Sequence, residues 1–124
     1  MTLRRWIAAI AIAALSVVLV VPSSLGDTAR FKASGCSDDP TWSPGVRQIA
    51  KGDKIVWKNP TDCEHTVTAY AGDWSKNTEL SSGESTRHKF GKAGTFKFRC
   101  MTSGHSVLDG GKCTGMCGRV RVMK

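Results

Sequence analysis

The chain has 124 residues, 40% hydrophobic and 23% charged, with a formal net charge of +8, a size that fits one small domain and excludes a multidomain enzyme. Its first 26 residues have the order of an export signal: Arg4 and Arg5, an apolar run from Trp6 to Val21, then the small polar stretch PSSLG. That run is about 16 residues, short of the roughly 20 that cross a bilayer, so residues 1–26 are read as a signal peptide cleaved after Gly26 or Ala29 rather than a retained anchor.

The domain proper is then 27–124, exported to a periplasmic, extracellular or cell-surface location, with no stable membrane insertion once the signal is gone. Losing Arg4 and Arg5 lowers the charge to +6, because every acidic residue lies after the signal. A basic domain can meet nucleic acid, an anionic membrane or an acidic protein. Here the cations alternate with apolar residues in KFKFR and RVRV, the pattern of a solvated sheet face, and export argues against nucleic acid.

Five cysteines in an exported chain leave one over when the others pair. Zinc could use Cys113, Cys117 and His105, but their spacing does not match the paired knuckles of a zinc finger. In chain order the alternation predicts strands at 28–33, 46–50, 54–59, 65–70, 86–90, 95–100 and 118–123. Turn residues separate them: Ser43-Pro44-Gly45, Gly52-Asp53, Asn59-Pro60, Ser81-Ser82-Gly83, Gly91 and Gly94. Short strands with no long helix suit two packed sheets. The polar stretch 71–84 reads as a short helix or an irregular crossing between sheets.

Residues i and i+2 of a strand share a face. Phe96 and Phe98 therefore carry Cys100 inward, and Val67 and Ala69 carry His65 inward while Thr66 and Thr68 face away. Met116 has the phase of Val120 and Val122. Met101 takes the face opposite to Cys100, Met123 belongs to the tail, and His88, between Arg87 and Lys89, reads as a surface residue. A histidine, a thiol and a thioether thus point at one core, with His105 available to complete a donor set suited to copper.

At this point the chain resembles the blue copper proteins, the plastocyanin and azurin group of cupredoxins. The resemblance rests on GDKIVWKNPTDCEHTVTA, GTFKFRC and GMCGRVRV, with His105 between the last two, and covers most of the mature chain. It implies an all-β Greek-key sandwich of about seven to eight strands and one copper ion cycling between Cu(I) and Cu(II). It implies too that His65, Cys100 and His105 bind the metal in a plane with Met116 axial. Cys100 is then the odd cysteine. The departure from the family is the stretch SVLDGGKCTG, which makes the loop between His105 and Met116 longer than usual.

The implied function is transport of one electron between redox protein partners by a monomer, with the edge of His105, beside Val107 and Leu108, as the electron port and an acidic partner drawn by the basic charge. Copper delivery or storage is the first alternative, though four Met and three His are few for a transfer site. A copper-free interaction domain is the second. No nucleophile elbow, phosphate loop or Ser-His-Asp set offers an enzyme activity. With Cys100 on the metal, the remaining cysteines permit three pairings, of which Cys36 with Cys63 and Cys113 with Cys117 is favoured.

Overall fold

The computed structural model describes residues 13–14 and 28–124. The rest of the signal segment, with the candidate cleavage point after Gly26, lies outside the described residues, and the candidate point after Ala29 falls at the start of the first strand. Among those described, no helix is long and apolar enough to cross a membrane.

Eleven strands are present among the described residues: β1 (Ala29–Ser34), β2 (Thr41–Ser43), β3 (Val46–Ala50), β4 (Lys54–Lys58), β5 (His65–Ala71), β6 (Asn77–Leu80), β7 (Ser85–Lys89), β8 (Gly94–Arg99), β9 (Ser106–Asp109), β10 (Lys112–Gly115) and β11 (Cys117–Met123). They form a four-stranded sheet in the order β2-β1-β4-β7, a five-stranded sheet in the order β3-β11-β8-β5-β6, and the separate hairpin β9-β10. The β1-β4 and β3-β11 pairs are parallel and the other pairs antiparallel. Parallel neighbours cannot be joined by a tight turn, so the chain crosses between sheets, giving an all-β sandwich.

Period-two alternation builds the interior. Phe31 and Ala33 of β1, Ile55 and Trp57 of β4, Phe96 and Phe98 of β8, and Val120 and Val122 of β11 are all buried. Phe98 is the hub, with its ring centroid 4.8 Å from Phe31 and 5.3 Å from Trp57 across the sandwich. Burying side chains of this size stabilises the fold by about 2–3 kcal/mol each, and it fixes the phase that carries Cys100 into the same interior two residues later.

Four expectations need correction. The strand count exceeds seven to eight because short pieces, β2, β6, β9 and β10, each add pairing. The stretch 71–84 holds β6 on the edge of the five-stranded sheet in place of a helix or an irregular crossing. Thr66 and Thr68, expected outward on solvent, are buried: their hydroxyls lie 2.9 Å apart, Thr66 Oγ1 accepts from the Met101 amide at 2.7 Å, and Thr68 Oγ1 donates to Asn77 Oδ1 at 3.1 Å. Covering this face with β6 and the segment after Cys100 satisfies hydroxyls that burial would otherwise penalise. His88 is half-buried, its ring 4.7 Å from Phe90 and 5.3 Å from Trp74.

Candidate metal centre

The first donor stands where β5 leaves the corner 59–64. Asn59, 1% exposed, holds that corner with its side chain: Nδ2 donates to the Cys63 carbonyl at 2.7 Å and to the Leu80 carbonyl at 2.9 Å, while Oδ1 accepts from the Thr61 amide at 3.1 Å and its hydroxyl at 2.6 Å. Asn-Pro opens the turn and the side-chain amide replaces backbone partners that a turn lacks. Cys36 and Cys63 form a disulfide that ties this corner to the segment after β1. His65 follows, fully buried, with Trp42 edge-on at 6.2 Å.

Cys100, fully buried and the free cysteine of the chain, ends the β8 run. Its neighbours close the second corner through the backbone. The Cys100 amide donates to the Met116 carbonyl at 2.9 Å, and the Met116 amide donates to the His105 carbonyl at 2.8 Å. Gly115, at φ +94°, permits this approach; a Cβ there would lie 2.5 Å from the His105 carbonyl oxygen, too close for any side chain. The long stretch SVLDGGKCTG is folded: β9 and β10 pair from Ser106↔Gly115 to Asp109↔Lys112, and Cys113 and Cys117 form the second disulfide. Met116 is fully buried.

Three donor atoms converge. His65 Nδ1 and His105 Nδ1 are 3.2 Å apart, and Cys100 Sγ lies 3.8 Å from the first and 3.4 Å from the second. The point equidistant from the corners of that triangle is about 2 Å from each, the length of a bond from a first-row metal ion to an imidazole nitrogen, close to that to a thiolate (about 2.0–2.3 Å). Two imidazoles and a thiolate, with His65 and Cys100 fully buried, fit copper better than a hard cation, which would demand oxygen donors.

The surroundings decide which atoms face inward. His65 Nε2 is 3.2 Å from Cys63 Sγ, so the outer nitrogen is occupied and Nδ1 is the one left to the triangle. Burial, then the nearby His105, pushes His65 below the ordinary histidine range, opposed by the Gly35 backbone; a neutral ring keeps its lone pair free for a metal. The Thr66 amide donates to Cys100 Sγ at 3.2 Å, and the Ser106 hydroxyl donates to the Cys100 carbonyl. His105 is partly exposed, lining a surface cleft of about 330 Å³ with Asp39, Pro40 and Gly115, and Val107 and Leu108 nearby are exposed.

Thus the residues singled out in the sequence, His65, Cys100, His105 and Met116, are drawn to one end of the sandwich by two corners. The parts that Asn59 and Thr66 play in the site escaped that reading. Asn59-Pro60-Thr61 was legible as a turn, but nothing in the letters says that its amide reaches Leu80.

No family model matches the chain, and no curated protein matches it in sequence. Solved structures do. Amicyanin from Paracoccus versutus superposes with a TM-score of 0.60 at 16% identity, over 79% of this chain and 83% of that one. A purple cupredoxin from Nitrosopumilus maritimus gives 0.61 at 18% identity, over 77% of this chain and 99% of that one. The copper-containing nitrite reductase of Thermus scotoductus SA-01 gives 0.61 at 19% identity, but the match spans 22% of that longer chain. At these identities the likeness speaks for architecture, and it agrees with the sandwich and its corners: this chain has the cupredoxin fold.

Proposed function

We propose that the protein is an exported blue copper electron carrier, in which His65, Cys100 and His105 would hold one copper ion and Met116 would add a weak thioether donor. The observation that carries this reading is the buried triangle of two Nδ1 atoms and one thiol sulfur. When bound, copper supplies a one-electron Cu(I)/Cu(II) couple. The chain does the rest. Cys100, His65 and Met116 exclude water from the centre, and the β9-β10 hairpin and both disulfides hold the donors so that little need move between oxidation states. The Thr66 amide stabilises negative charge on the Cys100 sulfur. His105, the donor residue with an exposed edge, offers the route out beside Val107 and Leu108, and the basic charge supports a redox partner that is acidic there.

Adding Cu(II) to the exported, metal-free protein should produce an intense thiolate-to-copper band in the visible and a copper paramagnetic resonance signal. Cys100→Ser should abolish the band while the near-ultraviolet circular dichroism of the aromatic core persists. A colourless, unshifted spectrum for the parent would overturn the reading in favour of a copper-free interaction domain.

A further inference from the structure

The four-stranded sheet has an outer face that the copper centre does not use. Arg30 and Lys32 of β1, Lys54 and Lys58 of β4, and Arg87 and Lys89 of β7 all occupy exposed positions there, on the side opposite to Phe31, Ile55 and Trp57. The register stacks like charges: Lys32 lies directly across from Lys58 and Lys54 from Lys89, while Arg30 and Arg87 flank Val56 from its two sides. Its other outward positions are serines, a threonine and Val56. No outward position on this face is acidic. Asp53 and Glu84 stand in the turns that precede β4 and β7, and Asp53 Oδ2 is taken up by the Ala50 amide. Among the described residues the one ion pair is Lys92 with Asp73, elsewhere on the molecule.

Like charges directly opposite on adjacent strands destabilise a sheet, and nothing on this face offsets them. The counter-charge has to come from outside. We propose that this face docks the protein on an anionic lipid bilayer as a peripheral contact, without insertion. Its composition favours a bilayer over a protein. Specific protein interfaces have an apolar, often aromatic centre and are depleted in lysine, whereas here four lysines and two arginines surround no large exposed apolar side chain. A sheet face of basic residues suits a laterally mobile layer of anions, to which each contributes separately.

The geometry also suits a carrier, although the proposal does not rest on copper. The β9-β10 hairpin lies over the other sheet, where Gly111, Lys112 and Cys113 line one cleft with Val46, Tyr70, Lys97 and Arg119. Docking by the β2-β1-β4-β7 face therefore leaves Val107 and Leu108 turned away from the lipid and open to a soluble partner. The opposite face is basic too, through Lys97, Arg99, Arg119 and Arg121, but Lys97 and Arg99 are half-buried.

That second basic face supplies the control. The exported protein is sedimented with phosphatidylcholine vesicles, with and without phosphatidylglycerol. Binding should require phosphatidylglycerol and be lost at high salt. A variant carrying Lys32→Glu, Lys58→Glu and Arg87→Glu should bind about a hundredfold more weakly or worse. One carrying Lys97→Glu, Arg119→Glu and Arg121→Glu, with the same net charge, should lose far less. Circular dichroism checks the fold, and the glutamine versions of the first set serve if charge reversal prevents folding. Equal losses in the two variants would reduce the effect to net charge and overturn the proposal. So would absence of binding to the anionic vesicles, and if polyglutamate binds instead and is lost with the first variant, the face is a dock for an acidic protein.

Discussion

Residues 59–65 and 100–116 deliver donors to the same triangle by different means. The first corner is short, and one buried side chain, Asn59, joins Cys63, Leu80 and Thr61 while a disulfide of sequence separation 27 anchors it to a distant segment. The second is long and is closed by backbone: a hairpin ladder, two amide bonds through Met116, and a disulfide of separation 4. A short corner can afford no ladder, so it concentrates its hydrogen bonding in one residue. A long one distributes it, and its side chains are freer to vary. Tolerance to mutation should follow that division.

The disulfides test it most strongly. By loop-closure entropy, removing the first by the double variant Cys36→Ser, Cys63→Ser should cost about 3.5 kcal/mol, against about 2 kcal/mol for Cys113→Ser, Cys117→Ser. The first should also disturb the copper spectrum more, because Cys63 Sγ touches His65 Nε2. Urea denaturation and visible spectra of the two variants check both points; a larger loss for the second pair would reverse the comparison. Next, Asn59→Ala leaves two carbonyls and the Thr61 amide short of their partner in a corner with little room to rearrange, and should destabilise by about 3 kcal/mol, read from the same denaturation curves.

The same division explains what could be read from the letters. GTFKFRC announces its own inward phase, because Phe96, Phe98 and Cys100 alternate with Lys97 and Arg99, and the structure buries all three. Asn77-Thr78-Glu79-Leu80 carries no such signal: it is an edge strand with Leu80 alone buried, and it pairs because β5 presents an open edge. Thr66 and Thr68 misled for the related reason that alternation gives the face but not what covers it. The hairpin β9-β10 had a local signal, Asp109-Gly110-Gly111 between short strands, which reading the stretch as an extended loop passed over. The inward phase of His65, Cys100 and Met116 was legible from alternation, whereas His105 and the grouping of the four came from the family resemblance. The hydrogen bonds that aim them, from Asn59 and Thr66, depend on contacts between distant segments and were not legible.

Met116 sharpens the comparison from the other side. Its place is set by its own amide and carbonyl, bonded to His105 and Cys100, so the side chain can change without opening the corner. Met116→Leu is close in volume and should cost less than about 1.5 kcal/mol. It should retain copper and the intense band, since the thiolate creates that band, yet raise the reduction potential, because losing a weak donor disfavours Cu(II) more than Cu(I). Redox titration decides; an unchanged potential with an unchanged spectrum would make Met116 a packing residue.

The smallest effect is expected outside both corners, at His88 on β7. Burial, then the Lys76 ammonium, holds this imidazole below the ordinary value of 6.5, and its ring packs on Phe90 and Trp74. The unfolded chain therefore takes up the proton at a higher pH than the folded one. Above about 6.5 the group has no effect; as pH falls through that value towards the lower folded one, proton uptake favours the unfolded state and stability declines. His88→Phe keeps the aromatic contact and removes the titration, so the decline in melting temperature between neutral and mildly acid pH should be shallower than in the parent, with the copper spectrum unchanged. A parallel decline in parent and variant would place the acid sensitivity in the corners, at His65, and remove β7 from the account.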